Sequence, residues 1–193
     1  MKRLIPFLFL LSFFVSMSFG EIVFDYTISD TYVGGYTLNS ESLLVTGAGA
    51  IQIDAKGESY VEVQNTAPLE DNIGGLYILN LDDFSTMNYY DGETNLFRIM
   101  GDATATFSGG RIDYISSYQD SDLIKHITFI ADLDSIDLTG NLLTGNWLDG
   151  SGFSVTLLDQ SGYDSVYSNI NFIPEPATLL LFGLGVIGLR RRR

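Results

Sequence analysis

From residue 21 to about residue 123, apolar and polar residues alternate in short runs broken by Gly, Asn and Asp. A period of two predicts strands buried on one face, and no helical period of useful length interrupts them. The runs also resemble one another. Four stretches align: Asn39–Gly49, Lys56–Val63, Asp83–Gly92 and Gly101–Gly110. Counted from Ser42 to Ser59, Ser85 and Ala103, the offsets are 17, 26 and 18 residues. The turn-rich insertion Thr66–Asn72, which contains Pro68, accounts for the long one.

This register produces columns. Tyr36, Ile53, Leu79, Phe97 and Ile115 share one position, and Leu38, Ala55, Leu81 and Ile99 share another. A third holds Leu44, Val61, Met87 and Ala105, while Gly49, Gly92 and Gly110 share a turn. Apolar columns at this spacing are what a β-solenoid needs, because each coil buries its inner face only by stacking on the next. The alternative is an antiparallel β-sandwich, whose hairpins can imitate such a repeat. The solenoid requires the strand around Leu79 to run parallel to the strand around Phe97, and it makes Glu93 and Arg111 neighbours. From about Ile124 the repeat stops. Three further strands are expected near 127–131, 142–147 and 153–158, with a hairpin turn at Asp149–Gly152. These are read as an antiparallel cap, with Trp147 as one of its packing residues. The expected organisation is therefore an all-β chain: 1–20 leader, 21–123 solenoid repeats, 124–173 cap, and 174–193 tail.

The two ends differ from the body. Met1-Lys2-Arg3 precedes an apolar run from Leu4 to Val15, followed by Ser18-Phe19-Gly20. Positive charge, a short apolar stretch and small residues form the pattern of a signal peptide, with cleavage expected after Gly20. At the other end, Pro174-Glu175-Pro176 leads through Ala177 and Thr178 into an apolar run. That run contains Leu179, Leu180, Leu181, Phe182, Leu184, Val186, Ile187 and Leu189, and it stops at Arg190, Arg191, Arg192 and Arg193. A helix from Ala177 to Leu189 would span about 20 Å at ~1.5 Å per residue, against a hydrocarbon core of ~30 Å. Local thinning and snorkelling arginines accommodate such a helix. The arginines are expected to stay cytoplasmic.

The order of triplet, apolar helix and arginine cluster resembles the PEP-CTERM sorting domain, also catalogued as the ice-binding-protein C-terminal domain. The resemblance implies that an exosortase in the inner membrane recognises the tail and cuts near the triplet. It also implies an exported product that reaches the cell surface or extracellular matrix of a bacterium secreting exopolysaccharide. The repeated phrase in the body, together with Gly110–Asp113, is similar to ectodomains of other such proteins, which brings no activity with it.

Charge narrows the partners. Between the two ends only Lys56, Arg98, Arg111 and Lys125 are basic, against 23 acidic residues, a net charge of −19. Nucleic acid and anionic lipid both require basic patches, so neither is an expected partner of the body. Cysteine is absent and His126 is the sole histidine. That removes a cysteine nucleophile and leaves a zinc site without its usual ligands. No nucleophile elbow or phosphate loop occurs, no catalytic residue is assigned, and the chain is not expected to be an enzyme. Asp132, Asp134 and Asp137 alternate as the oxygen ligands of calcium sites do, but without the Gly and Glu of an EF-hand. They are candidate calcium ligands beside the simpler reading of a solvated turn. No other cofactor is expected. The sequence thus points to a structural or adhesive surface protein associated with exopolysaccharide. The alternatives are a carbohydrate-binding or carbohydrate-cleaving solenoid and a calcium-dependent adhesin.

Overall fold

A computed structural model describes residues 22–70, 74–120 and 125–174. The chain is all-β, with β1 (Tyr26–Ile28), β2 (Val33–Asn39), β3 (Ser42–Thr46), β4 (Ala50–Lys56), β5 (Tyr60–Asn65), β6 (Leu76–Leu81), β7 (Thr86–Tyr89) and β8 (Glu93–Met100). There follow β9 (Thr104–Phe107), β10 (Arg111–Tyr118), β11 (Ile127–Ile130), β12 (Asp137–Thr139), β13 (Leu142–Asn146), β14 (Gly152–Leu158) and β15 (Ile170–Ile173). Two short 3-10 turns, Leu133–Ser135 and Val166–Asn169, are the helical elements among the described residues.

Consecutive strands alternate between two sheets. One has the order β1-β3-β5-β7-β9-β11-β15, the other β12-β13-β14-β10-β8-β6-β4-β2. Every neighbouring pair in the first is parallel, as is every pair from β2 to β14 in the second. Antiparallel pairing is confined to β12–β13, β13–β14 and one isolated bridge between Ala131 and Trp147.

The expected parallel pairing of β6 with β8 is present, with Leu79 opposite Phe97 and Leu81 opposite Ile99. The first two columns follow the register: Tyr36 lies opposite Ile53, Ile53 opposite Leu79, and Phe97 opposite Ile115. Glu93 and Arg111 meet at 3.5 Å as expected. Arg111 is exposed, so this pair contributes only about 0–1 kcal/mol.

Two columns need correction by one residue. Val61 pairs with Leu43, not Leu44. The turn from Leu38 to Leu43 is one residue shorter than the turn from Ala55 to Val61. The offset is therefore 17 between β2 and β4 but 18 between β3 and β5. With a side-chain period of two, that single residue decides which leucine faces in. Leu43 is fully buried, and Leu44 faces out. Likewise Gly49 lies one residue beyond the position of Gly92 and Gly110. Those two do stack, with φ of 118° and 77°. A Cβ on Gly110 would come within 2.6 Å of the Gly92 carbonyl oxygen, so only glycine fits there.

The C-terminal segment also differs from a separate antiparallel cap. β11 and β15 continue the parallel stack, with Ile127 opposite Ala105 and Ile170 opposite Ile127. β14 lies parallel to β10 and antiparallel to β13. Continuity of the aromatic core explains this. Tyr89, Phe107 and Phe129 stack through successive layers at 5.4 Å between ring centres. Trp147 then closes the series, 5.2 Å from Phe129 and 4.5 Å from Phe153. Its Nε1 donates to the Gly110 carbonyl at 2.9 Å, and it is 1% exposed, so Trp147 is a packing residue unavailable to a carbohydrate.

The expected leader 1–20, most of the expected tail, and Leu123 and Ile124 at the expected repeat boundary lie outside the described residues. Among the described residues no helix is long and apolar enough to cross a membrane.

Phe97 is fully buried and packs edge-on against Phe107 at 5.1 Å. Replacing it with Ala should cost about 3–5 kcal/mol. Urea unfolding of Phe97→Ala beside the parent checks this, and a loss below about 1 kcal/mol would show that the column does not carry the core.

Candidate functional site

The outer side of the larger sheet is built by a recurring interruption in the alternation. Core residues Ala50, Leu76, Thr94 and Ile112 are followed three positions later by core residues Ile53, Leu79, Phe97 and Ile115. In each strand two consecutive residues therefore face out: Ile51 and Gln52, Tyr77 and Ile78, Asn95 and Leu96, Asp113 and Tyr114. The ladder places Gln52, Ile78, Leu96 and Tyr114 side by side in one row. Two residues further on, a polar row runs parallel to it: Thr37, Asp54, Asn80, Arg98 and Ser116. An apolar strip thus lies against a polar one, both crossing the strands.

The polar row is unevenly satisfied. Asp54 accepts from Asn80 Nδ2 at 2.6 Å and from Gln52 Nε2 at 2.7 Å, so each carboxylate oxygen is engaged by an amide. Asn80 is 9% exposed, and its Oδ1 is shut off from solvent with no partner. An unmet buried acceptor of this kind costs about 1–3 kcal/mol. Arg98 is half-buried beside it and makes no ion pair among the described residues, where both salt bridges belong to Arg111. In a body carrying −19, a guanidinium without a carboxylate is the least expected feature of this surface. In the sequence Arg98 stands only as one of the four basic residues of the body. The register of Asn80 with Arg98 was available from the repeat, but the missing partners were not.

The smaller sheet presents a tighter polar patch. Tyr60 donates to Glu62 at 2.8 Å, accepts from Asn88 Nδ2 at 3.0 Å and stacks on Phe24 at 5.9 Å. Burial, followed by the Glu62 hydrogen bond, pushes its phenol up to about 12. On the neighbouring strand β7, Tyr89 is fully buried, and burial drives its phenol higher still.

The other sequence candidates are dispersed. Asp132 caps the 3-10 turn, its carboxylate accepting from the Asp134 amide at 3.2 Å. Asp137 accepts from Thr139 at 3.1 Å. Among the described residues no group of three or more His, Asp or Glu side chains gathers to hold a metal ion. His126 is 8% exposed, and its Nδ1 lies 3.0 Å from the Ala103 carbonyl, a structural placement. A cleft of about 360 Å³ is lined by Asn65, Thr66, Asp91, Glu93, Arg111 and Ser151.

Pro174 is exposed at the end of β15 and lines a cleft of about 570 Å³ with Leu133, Asp134, Trp147 and Leu148. Glu175, Pro176, the apolar run to Leu189 and Arg190–Arg193 lie outside the described residues. The body thus defines an all-β protein of stacked parallel strands ending in a proline-led tail. The family model of the PEP-CTERM protein-sorting motif matches residues 172–193, and the chain carries that motif. No curated protein and no solved structure matches the chain. The motif implies export, cell-surface sorting and processing by an exosortase. Its first two residues, Phe172 and Ile173, already belong to β15, so no linker separates the fold from the motif.

Tyr60 and Tyr89 set an alkaline limit. A phenol whose folded pKa lies above its unfolded value of about 10 stabilises the fold below pH 10. That contribution is lost as pH rises from about 10 through 12. Unfolding is therefore expected across this window, and Tyr89→Phe should move its midpoint to higher pH. Ultraviolet titration of phenolate alongside circular dichroism measures both, and phenolates that all form near pH 10 without unfolding would contradict it.

Proposed function

We propose that this chain is an exported surface or matrix protein, sorted by an exosortase, whose body is a β-solenoid with a structural or adhesive role beside exopolysaccharide. The matched motif at residues 172–193, continuous with the last strand, carries this reading. Parallel pairing along the whole smaller sheet, and from β2 to β14 in the larger one, supports the solenoid. Before processing, the apolar run and Arg190–Arg193 hold the chain in the inner membrane; afterwards the body is at the surface or outside the cell. Its partners are the secretion machinery, the exosortase, the membrane and exopolysaccharide. Nucleic acid is not among them, because a body of −19 repels phosphate.

A carbohydrate-binding role is the second reading, favoured by the apolar and polar rows on the larger sheet. The calcium-dependent reading rests on Asp132, Asp134 and Asp137; Asp132 already caps the 3-10 turn and Asp137 accepts from Thr139 within β12.

Coexpression with an exosortase tests the sorting reading. The full chain should be shortened and leave the inner membrane. A variant with Pro174, Glu175 and Pro176 all changed to Ala should remain full-length and membrane-bound. Deleting residues 174–193 should release a folded, soluble body. Processing that ignores the triplet, or a truncated body that fails to fold, would overturn the assignment of the tail.

A further inference from the structure

We infer that the paired rows on the outer side of the larger sheet bind a neutral polysaccharide chain lying across the strands. The inference deepens the carbohydrate-binding reading above, on which it rests, and takes from the sorting reading only the chain's place outside the cell.

Three observations carry it. The first is shape and apolarity. Ile78, Leu96 and Tyr114 sit in register on adjacent parallel strands, so successive side chains repeat at ~4.8 Å. Tyr114 is 41% exposed, and Ile51, one residue before this row on β4, is 47% exposed. A repeating surface of this kind suits a ligand that itself repeats and has an apolar face, as the C–H faces of linked pyranose rings do. Binding sites for such ligands combine apolar walls with a few placed polar groups.

The second is the polar row beside it. Arg98 offers five donors in a planar fork and has no acidic partner among the described residues. Asn80, beside it in register, holds an acceptor oxygen with no donor. A hydroxyl both donates and accepts. A hydroxylated ring seated on Ile78 and Leu96 is the ligand that could answer both needs, with the Arg98 side chain shifting to admit it.

The third is charge. The body carries −19, and the row itself contains Asp54. A uronate or sulfated polymer would meet long-range repulsion and a carboxylate at the site. That selects an uncharged polymer. Arg111 is no alternative anchor, because Glu93 and Asp113 already occupy it at 3.5 and 2.8 Å.

The full chain, purified in a phosphocholine detergent, is titrated calorimetrically with a panel of neutral glucans, mannans and galactans, and with alginate as the uronate polymer. At least one neutral polymer should bind, with little change between low and high salt, and alginate should not. Arg98→Ala and Tyr114→Ala should each weaken binding at least tenfold, and Thr106→Ala, on β9 of the smaller sheet, should leave it unchanged. Tyr114 is largely exposed, so its truncation keeps the test valid even if Arg98→Ala disturbs the fold. The inference is overturned if no neutral polymer binds, if alginate is preferred, or if binding survives Tyr114→Ala intact. Exosortase processing of the same variants separates the two readings. Processing without glycan binding defeats only this inference, whereas an unprocessed parent chain defeats the sorting reading.

Discussion

Each layer of this chain, one strand from either sheet, buries its apolar side only by lying on the next layer in register. Parallel backbone pairing is the constraint on which everything else depends. It fixes which residues of a strand face inward, and it aligns them with the same positions above and below. With no cysteine in the chain, packing and hydrogen bonding must hold this stack alone. The columns through Leu79 and Phe97, and the aromatic series from Tyr89 to Trp147, are the places where they do so.

The same constraint organises the outside. A ladder that puts Ile53, Leu79 and Phe97 in one inner column also puts Gln52, Ile78 and Leu96 in one outer row. Surface chemistry on such a scaffold arrives as rows crossing the strands rather than as a pocket. The proposed roles follow from that. A rigid acidic body presenting repeated rows suits attachment to a repeating polymer, and its linkerless junction with the sorting motif fits delivery to the surface as a folded unit.

Much of this was legible in the sequence because the stack repeats. Offsets of 26 and 18 residues recovered the pairing of Ile53, Leu79 and Phe97, and the match of Glu93 with Arg111. The tail was legible because its triplet, apolar run and arginines stand in a fixed order. The errors have physical causes. The expected register puts Leu44 inward because it allows a gap only at Thr66–Asn72 and none in the first-layer turn, which is one residue shorter. The strand Ile127–Ile130 was assigned to an antiparallel cap because an offset of 22 residues to Ala105 breaks the apparent period, although the aromatic core continues through Phe129. That Arg98 has no acidic partner among the described residues, and that the Asn80 oxygen is closed off, depend on which side chains fail to meet, and no pattern of residue types records that.

Cross-linking tests the stack most directly, since the chain has no cysteine of its own. Thr86 and Thr104 face outward in register on β7 and β9. Cα atoms on neighbouring strands lie ~4.8 Å apart, within the roughly 4.4–6.8 Å that a disulfide spans. A chain carrying Thr86→Cys and Thr104→Cys should oxidise within one molecule and keep its fold. Thr86→Cys with Thr106→Cys, two residues out of register and beyond the ~7 Å limit, should stay reduced. Failure of the first pair, or equal oxidation of both, would contradict the parallel in-register stack.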